Sequence, residues 1–296
     1  MRVLVVKMSS MGDIVHALPA VTDLAAQGDE VHWVVEEAFA PIVAAHQSVA
    51  RVLPIAWRRW RAALLLPWTA RARAARQEFL EFRNGIVDTE YDLVIDGQGL
   101  YKSAVVTRWA RAETKVGFDR DSIRERGAER FYTESVAVPV GWHAVDRLRR
   151  LFAVAAGYSV PTALDFGLGA PDPAPGPPVA LLLHGTSWRN KEYPQVLWQS
   201  VAAEAAAAGY QVALTWNDAV ERRRAEAIAA AVGGQVWSRM ALPALIDRLR
   251  GVSLTIGVDS GIGHLAAAMG IPSVGLYGAS DAIRTGLKGP RAQSLA

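Results

Sequence analysis

Residues 169–178, Gly-Ala-Pro-Asp-Pro-Ala-Pro-Gly-Pro-Pro, constrain this chain more than any other stretch. Five prolines and two glycines in ten residues cannot sit inside a helix or a central strand. They predict a linker, and their ring-locked backbone makes it a semi-rigid spacer. The same rhythm recurs on both sides of it. Before it, strand-like apolar runs at 3–7, 31–35, 52–55, 93–96 and 136–139 alternate with helical patterns. Those helices follow Asp13, cover 71–82, begin near Ser103 and cover 143–156. After it, runs at 179–184, 211–216, 235–237, 254–258 and 272–276 alternate with helices over 194–208, 219–232, 243–250 and 263–269. Such alternation predicts parallel βαβ units, one sheet per half. The expected fold is α/β, with two doubly wound parallel-sheet domains over 1–168 and 179–296, facing a central cleft. A length of 296 residues suits two domains, and 51% hydrophobic residues can fill two cores.

Composition removes several classes of function. With no cysteine there are no disulfides and no thiolate metal sites. A net charge of +3 carries no global nucleic-acid signature. No apolar run reaches the length of a membrane span. Lys7, Gly12 and Asp13 interrupt the apolar start, so the N-terminus has no secretory layout. The charge is uneven, however: residues 57–77 hold six arginines and no acid.

Ligands of open α/β sheets bind beyond the carboxyl ends of the strands, so the strand-end turns are where chemistry is expected. The first turn, Lys7-Met8-Ser9-Ser10-Met11-Gly12-Asp13, leads into a helix with Asp13 at its mouth. That carboxylate is open to two readings, a helix-start residue or a catalytic base. Asp96-Gly97-Gln98-Gly99-Leu100-Tyr101-Lys102-Ser103 is another such turn. In the second half, His184-Gly185-Thr186-Ser187 with Lys191 offers hydroxyls and an ammonium suited to a diphosphate. Glu221 follows the strand ending near Trp216 and can accept hydrogen bonds from ribose hydroxyls. Asp259-Ser260-Gly261-Ile262-Gly263-His264 opens a helix whose N–H groups suit an anion. No GxGxxG or Walker lysine is present. Trp57-Arg58-Arg59-Trp60-Arg61 and the following Leu64–66 combine cations with apolar bulk. That mixture suits an anionic ligand, a membrane interface, or a helix with one apolar and one solvated face. Asp119-Arg120-Asp121, a literal DxD, reads as surface.

Taken together, these segments resemble the lipopolysaccharide heptosyltransferases of glycosyltransferase family 9, two-domain enzymes of the GT-B type. The likeness covers nearly the whole chain. Ser-Ser-Met-Gly-Asp and Arg-Arg-Trp-Arg favour the heptosyltransferase I branch over its heptosyltransferase II relatives. The resemblance implies transfer of L-glycero-D-manno-heptose from ADP-heptose to the first Kdo of Kdo2-lipid A, without metal or other cofactor. It implies a cytoplasmic protein, peripheral on the inner membrane. It makes Asp13 the general base. Thr186, Ser187, Lys191, Glu221, Met240, Asp259, Ser260, Gly261 and His264 become donor contacts, and Arg58, Arg59, Arg61, Lys102 and Arg124 acceptor contacts. Lys7 receives no role. Ser187 stands where the family has a second Thr, Tyr193 where a Trp is usual, and Gly278-Ala279-Ser280-Asp281-Ala282 where it has Gly-Pro-Thr-Asp-Pro. The family continues into a final helical segment beyond the position of Ala296, so the second domain is expected to lack it. Two other functions fit the same architecture, a sugar-nucleotide epimerase and a non-catalytic nucleotide- or glycan-binding protein. The arginine cluster argues against the first, and the second has no need of Asp13.

Overall fold

The computed structural model describes every residue except 64, 66, 67, 173–175 and 187. Ser187, two leucines of the apolar patch and the middle of the linker therefore lie outside the described residues. The chain divides into two compact units, Met1–Gly167 and Leu168–Ala296.

The first unit runs β1 (Arg2–Val6), α1 (Met11–Ala25), β2 (Glu30–Glu36), α2 (Ala40–Ala44), β3 (Val49–Ile55), α3 (Trp57–Ala63) and α4 (Ala70–Val87). It continues through β4 (Leu93–Asp96), α5 (Tyr101–Trp109), β5 (Thr114–Phe118), β6 (Glu134–Val136) and α6 (Ala144–Ala156). Its strands are all parallel, in the order β3-β2-β1-β4-β5-β6. This is the doubly wound order, with the winding reversed between β1 and β4. Those two central strands are covered on both faces, so they are apolar almost throughout: Val3 to Val6 and Leu93 to Ile95 are buried.

The second unit runs β7 (Val179–Leu183), α7 (Gln195–Ala207), β8 (Gln211–Leu214), α8 (Ala219–Ala230), β9 (Gln235–Val236) and α9 (Leu242–Leu249). Then follow β10 (Leu254–Val258), α10 (Gly261–Ala268), β11 (Ser273–Leu276), α11 (Ala282–Thr285) and β12 (Ala292–Leu295). Its parallel order, β9-β8-β7-β10-β11-β12, repeats the first unit strand for strand, with the reversal between β7 and β10.

Two strands are absent from the sequence-based expectation. β5 carries Lys115 at its second position, and that lysine is buried with its ammonium on the Arg108 carbonyl, 3.2 Å away. β12 is an edge strand with alternating half-buried and exposed positions and the polar sequence Ala-Gln-Ser-Leu. An edge strand needs no apolar run, so it leaves little signal.

The arginine-rich stretch also needs correction. Trp60 is core, only 5% exposed, with its ring against Phe79 and Phe82 and its indole N–H on Glu78 at 2.9 Å. Trp57 is partly buried against the same cluster. Among the described residues there, the large apolar side chains that reach solvent are Leu65 and Trp68, between α3 and α4. Among the described residues no helix is long and apolar enough to cross a membrane.

Candidate active site

In a doubly wound sheet, the crevice for a ligand opens where the winding reverses, beyond the carboxyl ends of the two central strands. The turns after β1 and β4 in the first unit, and after β7 and β10 in the second, are the four motifs singled out above. Topology thus draws each pair together across long sequence separations.

In the first unit, Ser10 is the N-cap of α1 and Asp13 the third helical residue. Asp13 Oδ2 accepts the Ser10 N–H at 2.9 Å and the Ser10 hydroxyl at 3.0 Å. The helix-start reading is therefore correct as far as it goes. The other oxygen, Oδ1, lies 3.5 Å from the ammonium of Lys7, whose side chain is almost wholly buried. Burial pushes the Asp13 carboxyl up, but Lys7, the Ser10 hydrogen bonds and His16 outweigh it and hold the pKa at about 2.

The β4 turn clamps this loop. Gln98 Oε1 accepts the N–H groups of Met8 and Ser9 at 3.0 and 3.1 Å. Lys7 donates to the Gly97 carbonyl at 3.0 Å, and Lys102 to the Ser9 hydroxyl at 2.9 Å. Asp96 is fully buried and accepts from Gln98 N, Gly99 N and the Tyr132 hydroxyl at 2.8, 3.0 and 2.8 Å. Gly99 takes a φ of +68°, and a side chain there would press on Ile123 at 3.1 Å, so glycine is required. The segment carrying Arg124 is tied to this turn, with Glu125 N on the Gly99 carbonyl and Tyr101 N on the Glu125 carboxylate.

The acceptor candidates separate into two kinds. Arg58 and Arg61 are exposed on α3, and Arg124 is exposed beyond β5. Arg59, by contrast, is held between Glu37 and Glu78, at 3.0 and 2.7 Å. Carboxylates from just beyond β2 and from α4 therefore offset the charge of Arg59, which ties these elements together.

In the second unit, Asp259 is the hub. Its Oδ2 accepts from Lys191 and from the Ser280 hydroxyl, both at 2.6 Å, and its Oδ1 lies 3.2 Å from His264 Nε2. Thr186 donates to the Asp259 carbonyl at 3.2 Å. Burial pushes Asp259 up, yet the hydrogen bonds from His264, Lys191 and Ser280 hold it well below the usual carboxylate range. Ser260 caps α10 through Gly263 N at 3.3 Å, which leaves the N-terminus of that helix at the hub. Nearby, Glu221 accepts the Asn217 N–H at 2.7 Å, and its carboxylate lies so close to Gly185 that a Cβ there would stand 2.6 Å from Oε1. Met240 is half-buried in the connection from β9 to α9. Ser280, Gln98 and Lys7 were not among the site residues expected from sequence. Ser280 follows β11, the neighbour of β10, and that adjacency is the signal that would have found it.

His184, at the end of β7, is fully buried, and burial with Arg224 close by lowers its pKa from 6.5 to about 4. The folded value is depressed, so the unfolded chain binds the extra proton between these limits. The stabilisation is complete above about pH 6.5 and lost as the pH falls through 4, by about 3 kcal/mol in all. Replacing His184 with Asn should flatten denaturant midpoints over that pH range. An unchanged slope would assign the acid sensitivity to other groups.

Comparison with known proteins supplies the family. The family model for glycosyltransferase family 9 (heptosyltransferase) matches residues 79–296. The chain belongs to glycosyltransferase family 9. This family 9 enzyme is 43% identical over 296 residues to lipopolysaccharide heptosyltransferase 1 of Pseudomonas aeruginosa, covering 98% of this chain and 82% of the relative. It is 39% identical over 290 residues to the Escherichia coli K12 protein of the same description, covering 95% and 89%. The solved structure of E. coli heptosyltransferase WaaC with ADP superposes with a TM-score of 0.89 at 37% identity, covering 99% of this chain and 92% of that one. The WaaC structure with ADP-2-deoxy-2-fluoro heptose gives 0.86 at 36% identity, covering 100% and 93%. The family 9 enzyme is thus a glycosyltransferase of the heptosyl-transferring kind, built on the GT-B pair of Rossmann-like folds.

Proposed function

We propose that this enzyme transfers L-glycero-D-manno-heptose from ADP-heptose to the first Kdo of Kdo2-lipid A, in lipopolysaccharide core biosynthesis, with inversion at the anomeric carbon. The observation that carries the reading is the pair of charged hubs at the two winding reversals. One is a carboxylate positioned by Lys7 and Ser10; the other is a cation and helix N-terminus around Asp259. The relatives' heptosyltransferase activity and the ADP-sugar analogue held by WaaC support the donor.

In the proposed reaction the Kdo hydroxyl oxygen forms a bond to the heptose anomeric carbon. The bond from that carbon to the β-phosphate oxygen breaks, and ADP departs with the electron pair. The hydroxyl proton passes to Asp13. A carboxylate of such low pKa cannot ionise an alcohol beforehand, so proton transfer accompanies bond formation in an oxocarbenium-like transition state. Orientation of the carboxylate offsets its weak basicity. Lys191 and the α10 N–H groups stabilise the charge on departing ADP, with Thr186, Ser260 and Gly261 beside them. Glu221 takes the ribose hydroxyls, Met240 packs near adenine, and Asp259 with His264 faces the heptose. These fixed cations do the work that a divalent metal would otherwise do, so the proposal includes no metal.

Arg58, Arg61, Lys102 and Arg124 serve the anionic acceptor, with Arg59 holding α3 in place. Leu65 and Trp68, exposed among arginines, suit the cytoplasmic face of an anionic inner membrane. Changing Arg58 and Arg61 together to Gln should raise the acceptor KM several-fold, at roughly 1 kcal/mol or more per lost charged hydrogen bond, and leave ADP affinity unchanged. High salt should mimic part of the loss. Unchanged acceptor kinetics would make α3 an ordinary solvated face. The function itself is tested by ADP release from ADP-heptose. Release that requires Kdo2-lipid A supports a transferase, and conversion of the donor without acceptor supports an epimerase.

A further inference from the structure

Lys7 closes β1 and is the one charged residue of the opening motif without an assigned role. A lysine is seldom buried unless paired, because losing its water is costly. This one is about 5% exposed, and its ammonium has two partners: the Gly97 carbonyl at 3.0 Å and Asp13 Oδ1 at 3.5 Å. Its anchor is rigid. β1 and β4 pair in parallel with Val6 opposite Asp96, and Gly97 N continues the ladder to the Val6 carbonyl at 3.1 Å. Gly97 is packed so tightly that a Cβ would stand 3.0 Å from Leu148. Next to it, the buried Asp96 ties Gln98 and Gly99, and Gln98 in turn holds the Met8 and Ser9 amides.

We propose that Lys7 is a positioning residue for the transfer reaction: its buried ammonium, braced on the Gly97 carbonyl, aims the Asp13 carboxylate and keeps it negatively charged. The proposal rests on Asp13 being the base. Other charged groups face the same loop. His16 lies one turn along α1 and meets His143, the N-cap of α6, edge-on at 5.6 Å. Lys102 of α5 reaches Ser9, and feels Glu36 and Arg58 on its other side. Among the described residues, however, only Lys7 lies within ion-pair distance of Asp13. The ammonium makes Asp13 a weaker base but holds one oxygen still, while Ser10 holds the other. The lone pair that receives the acceptor proton is thereby fixed in direction, which matters because small misplacements of a reacting group cost large factors in rate.

Three variants, Lys7→Met, Lys7→Gln and Lys7→Arg, are compared with Asp13→Asn. Met and Gln should lower kcat roughly ten- to hundredfold with the ADP-heptose KM unchanged. They should also lift the acid limb of the kcat–pH profile by about one to three pH units, the usual effect of removing an opposite charge at this distance. Arg should retain most activity and the wild-type profile. Far-UV circular dichroism and urea unfolding of each variant check that the unit carrying Lys7 is folded. Wild-type kcat and profile in Met and Gln would overturn the proposal while leaving the base reading intact, provided Asp13→Asn is inactive. Wild-type turnover in Asp13→Asn would instead overturn the base reading itself. If neither Met nor Gln folds, a carbon-13 carboxyl titration of wild-type Asp13 decides. The same titration is run in Ser10→Ala: a carboxyl still well below 3.8 without the Ser10 hydroxyl supports the proposal, and a return to 3.8 overturns it.

Discussion

Asp13→Asn should lower turnover by about a hundredfold to ten-thousandfold, the usual range for loss of a general base. The substitution keeps size and one acceptor oxygen, so the Ser10 bonds that start α1 survive and the fold should too. ADP binding should be unchanged, because the proposed donor contacts all belong to the second unit. A kcat loss without a KM change is the signature of an interaction made only in the transition state. With the wild-type carboxyl held at about 2, Asp13 is ionised at every pH where activity is normally measured. Near-normal turnover in the variant would reduce Asp13 to a helix cap.

Lys191→Ala is expected to have the next largest effect, and on binding. Its ammonium lies 2.6 Å from Asp259 and provides the cation next to the α10 N-terminus. Removing it takes away a charge-assisted contact to the diphosphate, worth about 1.5–3 kcal/mol, or roughly ten- to hundredfold in ADP affinity. It also leaves Asp259, among the described residues, with His264 and Ser280 to offset its negative charge, which sets that carboxylate against an incoming anion. Both ADP affinity and kcat should fall. A chelator should leave wild-type turnover unchanged. Strong inhibition reversed by a divalent cation would show that the fixed cations are insufficient.

Much of this architecture was legible because buried parallel strands are written as uninterrupted apolar runs. β4 and β10 emerged with their observed limits, 93–96 and 254–258, and both are central strands. β5 and β12 were missed for opposite reasons. One buries a lysine whose partner, the Arg108 carbonyl, is invisible in local sequence, and the other sits at an edge where polar residues are tolerated. Among the candidate site residues, those on the strand-end turns or in the first turn of the helix that follows could be placed from sequence: Asp13, Lys102, Thr186, Asp259 and His264. Residues that act across the sheet were not. Gln98 holds a turn 90 residues away, and Ser280 reaches Asp259 from the neighbouring strand's end. The partners of Arg59 are of the same kind, since Glu37 and Glu78 lie outside the arginine stretch in sequence and against it in space. Trp60 likewise reads as an interfacial aromatic beside arginines, yet Phe79 and Phe82 bury it. Local pattern predicts elements; partner identity needs topology.

The central claim is that Asp13 serves heptosyl transfer onto Kdo. It is tested most directly by incubating wild-type and Asp13→Asn protein with ADP-heptose and Kdo2-lipid A. The product is then weighed by mass spectrometry and its new linkage read by NMR. One added heptose on the first Kdo is expected, with the anomeric configuration inverted relative to the donor, formed by the wild type and nearly absent with Asp13→Asn. A retained configuration, or equal product from both proteins, would contradict it.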